Sequence, residues 1–167
     1  MNHAYSNCSN LATAVCGDNV IKMHNAYTNC INLTTAACGE KVESMYGSYR
    51  DCTNLTTAVC GNSVIYIHEA YQNCPNIQGN AYFYSTGITT AHKCFEGRNV
   101  SNNLSIYVPA NSTTLTTILS TDNANSLVGA DITWENDTTN NCYYNTDYNI
   151  YIYPVENVAA AKEINGD

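Results

Sequence analysis

The chain has 167 residues, with 14 acidic and 6 basic side chains, a net charge of −8 and a pI near 4.7. That balance argues against binding to the phosphate backbone of nucleic acid, and no polybasic patch would draw the chain to an anionic membrane. No run approaches the ~20 apolar residues that span a bilayer, so no membrane insertion is expected. Only 12% of residues are charged. Solubility therefore rests on Asn, Thr and Ser, a composition closer to secreted, cell-surface or virion proteins than to cytosolic enzymes.

Residues 1–77 are written in one repeating phrase. Tyr5, Tyr27, Tyr49 and Tyr71 recur every 22 residues. Each is followed by a cysteine (Cys8, Cys30, Cys52, Cys74) and then by an aliphatic (Leu11, Leu33, Leu55, Ile77). Cys16-Gly17, Cys38-Gly39 and Cys60-Gly61 keep the same phase, as do Val20, Val42 and Val64, and Met23, Met45 and Ile67. A fixed period of this length predicts units stacked in a line, none able to bury its apolar side alone. In the unit 32–53, Leu33–Cys38 reads as a short strand, Gly39–Lys41 as a turn and Val42–Met45 as a second extended piece. Gly47–Cys52 reads as about one helical turn. Met1 is in register with Met23, and the N-terminus lacks the basic and apolar stretches of a signal peptide. The expectation is a start within a longer array, with a natural start in a protein that needs no secretion signal as the alternative.

Nine cysteines cannot all pair within the chain. Seven of them occupy two repeat positions in phase with Leu and Val, which predicts small buried hydrophobes stacked from unit to unit. An isolated disulfide at Cys94 or Cys142 is left open. Asn10, Asn32, Asn54 and Asn76 also repeat and predict a side-chain ladder that bonds loop amides.

After Ile77 the period falters. Gly79–Tyr84 predicts a strand and Ala91–Gly97 a degenerate helical turn. Leu104–Pro109 predicts a strand stopped by proline, and Thr113 to about Thr121 a helix behind cap residues. Asp131–Trp134 predicts a strand, Glu135–Asn141 a polar turn, Cys142–Tyr144 a short strand and Tyr148–Tyr153 another. Trp134 and Tyr148–Tyr153 together predict a terminal hairpin that covers the end of the stack. Val158–Ile164 predicts a short helix or a frayed tail.

The order Ala-Tyr-x-Asn-Cys-x-Asn-Leu-Thr-Thr over residues 26–35, followed by a Val and a Met or Ile, resembles the BspA-like leucine-rich repeat. Tyr27, Tyr49 and Tyr71 stand where that family has Phe, Cys16, Cys38 and Cys60 near its Ile, and Gly17, Gly39 and Gly61 near its Pro. The resemblance covers residues 1–77 strongly and 78–134 loosely. It implies an α/β fold, a right-handed leucine-rich-repeat solenoid of short parallel strands and short helical turns with an irregular C-terminal β cap. The expected division is 1–110 for the solenoid, regular to 77 and degenerate over 78–110, and 111–167 for a capping helix and β-hairpin. The resemblance further implies an adhesive or binding role on surface proteins of host-associated microbes or on phage proteins.

Chemistry has few footholds. No C-x-x-C or H-x-x-x-H spacing occurs, and His24 and His68 lie two units apart, too far to share an ion. No metal and no cofactor is expected. No Gly-x-Ser-x-Gly, helix-start Cys or isolated acid pair points to catalysis, and no enzyme is expected. The candidate site is a surface. On the unit strand Leu33, Ala36 and Cys38 face in, which turns Thr35 and Ala37 out. Stacking then makes one stripe of Thr13, Thr35 and Thr57 and another of Val15, Ala37 and Val59. Together they form either a platform for a neutral protein or glycan ligand, or a face that solvent merely tolerates. His24, Tyr46 and His68, with Tyr66 beside them, form a further stripe that offers rings to sugars or packs within the convex layer. The sequence thus predicts a non-catalytic binding or adhesion module of a microbial cell surface or phage virion. The alternative is a structural spacer, or a self-assembling unit that associates through solenoid ends.

Overall fold

A computed structural model describes residues 1–166; Asp167, last in the predicted tail, lies outside the described residues. In chain order the elements are β1 (Val59–Cys60), β2 (Gly79–Phe83), β3 (Leu104–Pro109), α1 (Thr113–Ile118), β4 (Glu135–Asp137), β5 (Cys142–Asn145), β6 (Ile150–Val155) and α2 (Val158–Asn165). Alternation builds the central pair of strands. Leu104, Ile106 and Val108 of β3 and Ile150 and Ile152 of β6 are buried, while Tyr107, Tyr151 and Tyr153 turn to the other face. β3 and β6 pair in parallel, with Leu104 opposite Ile150 and Tyr107 opposite Tyr153. β2 and then β1 extend the sheet in parallel on one side. β5 and β4 finish it antiparallel on the other, in the order β1-β2-β3-β6-β5-β4. The β3–β6 ladder crosses the boundary expected at residue 110.

This architecture overturns the expected α/β leucine-rich-repeat solenoid: the chain forms a six-stranded mixed sheet with two short helices. Among the described residues, none ahead of Val59 lies in a strand or helix. Isolated parallel bridges, Thr13 to Thr35 and Lys22 to Ser44 to Tyr66 to Thr90, stand where ladders were expected. The physical reasons are local. The expected helical turn carries two left-handed residues four positions apart, such as Asn25 and Asn29 (φ 49° and 58°) or Gly47 and Asp51 (φ 57° and 63°). An α-helix of L-residues does not tolerate that. The turn instead becomes a bend whose N–H groups leave the unit: Tyr27 donates to Ser48 O and Tyr49 to Ala70 O, both at 2.8 Å. In the stretches expected as strands, tyrosine hydroxyls bond the backbone of one residue per unit. Tyr49 Oη accepts from Ala37 N at 2.9 Å and donates to Ala37 O; Tyr27 treats Val15 in the same way.

Side chains in phase do meet. The rings of Tyr27, Tyr49 and Tyr71 stack 5.2 and 5.4 Å apart, nearly parallel, and Phe95 follows at 5.7 Å. Leu33, Leu55 and Ile77 are fully buried, each worth about 1.5–3 kcal/mol of apolar burial. Cys30, Cys52 and Cys74 are also buried, and each thiol donates at 3.0 Å to a tyrosine carbonyl of the unit before it: Tyr5, Tyr27 and Tyr49. All nine cysteines are free thiols. Of the asparagines expected to bond loop backbone, Asn76 does so, donating from Nδ2 to Thr53 O at 2.8 Å, and Asn10, Asn32 and Asn54 are exposed. A side-chain ladder runs at another position, where Asn29 donates to Asn7 and Asn73 to Asp51, each at 2.9 Å.

In the C-terminal half the strand expected at Asp131–Trp134 lies instead at Glu135–Asp137, where a polar turn was expected. Asp137 caps the following turn through Thr139 N and Asn140 N, which lets β4 and β5 form a hairpin. Pro154 does not stop β6, because β5 pairs only as far as Ile152 and the missing N–H falls past that ladder. α1 forms behind Ser112, whose hydroxyl accepts from Leu115 N at 3.1 Å. Its threonines serve as anchors: buried Thr114 donates to Ser85 O at 2.6 Å and accepts from Ile88 N at 3.0 Å.

Candidate binding site

The stripes begin on the bare units and run onto the sheet. Thr13, Thr35 and Val15 are exposed, Val15 to 67%, while Thr57, Ala37 and Val59 are half-buried. Thr57 does not point wholly to solvent, because its hydroxyl accepts from Ala36 N at 3.1 Å. The backbones of Val15, Ala37 and Val59 are each gripped by a buried tyrosine hydroxyl, so this surface is held from within. Beyond Val59 the second stripe changes character. Val59 pairs with Tyr82, Tyr82 with Tyr107, and Tyr107 with Tyr153. Those rings stack at 5.2 and 5.0 Å.

A cleft of about 390 Å3 opens where this column steps down from tyrosine to smaller side chains. Thr35, Thr57, Ala58 and Val59 line one part of it, and Asn80, Tyr82 and Tyr84 another. Lys162 of α2 reaches over the edge, with Nζ 5.9 Å from the centre of the Tyr82 ring, and among the described residues it is the one charged side chain in the lining. Asn165 Nδ2 donates to Tyr82 Oη at 3.0 Å and ties α2 down. Sequence reasoning found Thr35, Thr57 and Val59 but missed the rest. The alternation Asn80, Tyr82, Tyr84 in an expected strand was the available signal, since those residues share a face. Nothing in the sequence links Lys162 to them.

His24, Tyr46 and His68 do form a column, with ring centres 6.0 and 5.2 Å apart, and His92 extends it at 5.1 Å. Much of each ring faces its neighbour. His24 Nε2 is 2.8 Å from Ser44 Oγ, and His92 Nδ1 is buried with no hydrogen-bond partner. A hollow of about 160 Å3 lies among Lys22, His24, Glu43, Ser44 and Tyr66. Burial, then the positive charges of Lys22, the N-terminus and His3, holds the His24 imidazole below its ordinary pKa. A further hollow, about 570 Å3, lies around Asn111, Asn136, Tyr143 and Glu156 and contains none of the predicted residues.

Burial also sets the thiol chemistry. It pushes Cys52 up to about 12 and Cys60 and Cys74 well above their ordinary value, so these side chains stay protonated. Among the described residues, no three His, Cys, Asp or Glu side chains converge as metal ligands, and no helix is long and apolar enough to cross a membrane. No family model, curated protein or solved structure matches the chain.

Proposed function

We propose that the chain is a non-catalytic binding module acting in adhesion at a microbial cell surface or on a phage virion, with the cleft beneath Lys162 taking a segment of a protein or glycan ligand. The observation that supports this reading is the convergence in one cleft of Thr35, Thr57 and Val59 with Tyr82, Tyr84 and Lys162, which are remote in sequence. Small side chains leave room, aromatic rings offer apolar area, and hydroxyl and amide groups supply directional contacts, a combination suited to a hydroxyl-rich ligand. The test is a glycan and surface-protein array, followed by titration of the Thr35→Lys variant against whichever ligand binds. A lysine at this exposed position projects into the cleft and is expected to cost about 2 kcal/mol of binding with unchanged melting. Full affinity in that variant sinks the cleft as the site. A second reading, a structural spacer, draws support from the continuous column of stacked rings that joins Tyr27, Tyr49, Tyr71 and Phe95 from unit to unit.

A further inference from the structure

The cleft beneath Lys162 continues past Tyr84. That ring also lines a second cleft, again of about 390 Å3, where Asn62 and Thr86 border Glu156 and Asn157. α2 forms part of the wall of both. Lys162, near its end, stands over the first, and Val158 and Ala159, at its start, line the second. The two clefts follow one another along the helix as one groove. Its ends carry opposite charge. Glu156 and Lys162 are six residues apart, roughly 9 Å at the helical rise per residue.

Neither charge is neutralised within the protein. Arg50 lies 3.2 Å from Glu69 and Lys93 3.5 Å from Glu96, and Arg98 is enclosed by backbone carbonyls. Lys162 instead lies over the Tyr82 ring, and among the described residues no carboxylate comes within ion-pair reach of it. Glu156 likewise meets no cation among them. The hydroxyls of Thr35, Tyr84 and Thr86 line the groove and bond no other group among the described residues.

We infer that the groove takes an acidic glycan, with one carboxylate-bearing sugar under Lys162 and a neutral sugar beside Glu156. This rests on the binding role proposed for the cleft and adds the charge pattern of its ligand. A carboxylate under Lys162 gains a charge-assisted hydrogen bond, on a chain whose net charge of −8 otherwise repels anions. The Glu156 carboxylate turns a second anion away from the far end, so a run of consecutive acidic sugars is refused. Between the two, free hydroxyl and amide groups give directional contacts to ring hydroxyls. A peptide strand fits less well. It would need unpaired backbone groups, and β2 at the floor of the groove is already bonded to β1 on one side and β3 on the other.

The test uses two acidic oligosaccharides, each with its neutral core: sialyllactose with lactose, and glucuronyl-xylotriose with xylotriose. Trigalacturonate supplies a run of acids. Binding to the whole chain is read by NMR chemical-shift titration. In at least one pair the acidic member is expected to bind about tenfold more tightly than its core, with shifts at Tyr84 and Ala159. Trigalacturonate is expected to bind more weakly than that member. Lys162→Met should bind both members alike and Lys162→Arg should keep the preference, with both variants melting as the parent does. Glu156→Gln should gain several-fold for trigalacturonate. Equal affinity for acid and core in both pairs overturns the inference while leaving a neutral ligand in the cleft. A preference that survives in Lys162→Met overturns it too, as does no binding in either pair. Shifts that map away from Tyr84 and Ala159 remove the binding role of the cleft together with the inference.

Discussion

Three tyrosine hydroxyls carry a task that hydrophobic periodicity does not reveal. Tyr27, Tyr49 and Tyr71 were legible as core by phase alone, and a phenylalanine would have read the same. Only the structure shows each Oη exchanging two hydrogen bonds with the peptide of Val15, Ala37 or Val59. Tyr49→Phe strands a donor and an acceptor at Ala37, so a loss of about 1–3 kcal/mol is expected in denaturant melts, with faster hydrogen exchange at Ala37. The asparagine column was misplaced for a related reason. Asn10 and Asn7 look equally able to form ladders in sequence, but Asn7, Asn29, Asp51 and Asn73 sit at the left-handed positions that face the next unit. Thiol burial gives the chain an alkaline limit. Burial holds Cys52 at about 12 against an ordinary 9.0. Between those values the folded chain keeps protons that the unfolded chain releases. Stability from this group is whole below pH 9 and drains away as pH rises toward 12, which melting curves across that range measure. A flat melting temperature from pH 8 to 11 contradicts it.

At the scale of elements, alternation and caps were legible, while bends were not. β2, β3, β5 and β6 and both helices fall close to the stretches expected, because Leu-Ser-Ile-Tyr-Val and Ile-Tyr-Ile-Tyr alternate and Ser112 and Asn157 are good caps. The spacing of Tyr49 and Cys52 suits a helical turn and a hydrogen-bonded bend equally well. Left-handed Gly47 and Asp51 decide for the bend, as Glu69 and Asn73 do around Tyr71, and Glu69 in particular gives no warning in sequence. α1 is rich in threonine, a weak helix former, because its hydroxyls fasten it to the loop before it. Thr114→Val keeps the shape but leaves Ser85 O and Ile88 N without this partner. It is expected to cost about 1–3 kcal/mol, read by chemical denaturation, with Thr116→Val on the exposed side close to neutral.

For the molecule as a whole, phase was the strongest signal and its continuation the weakest. Phe95 takes the tyrosine place two residues later than the period demands, which is why the pattern faded on the page while the ring column ran on. The cleft was half legible: its threonines lie in the regular part, whereas Lys162 arrives on the last helix. Because all nine cysteines are free, melting and elution are expected to be the same with and without reductant. A large drop in melting temperature on reduction would show that thiol pairing, not packing, holds the units together. The row of one-way N–H bonds along the bends has an electrical consequence. Peptide dipoles aligned in this way sum as they do in a helix, although no helix runs along the stack. The flank of bends is thereby a polarised rod, negative toward Asn2, Ala4 and Ser6 and positive toward Phe95.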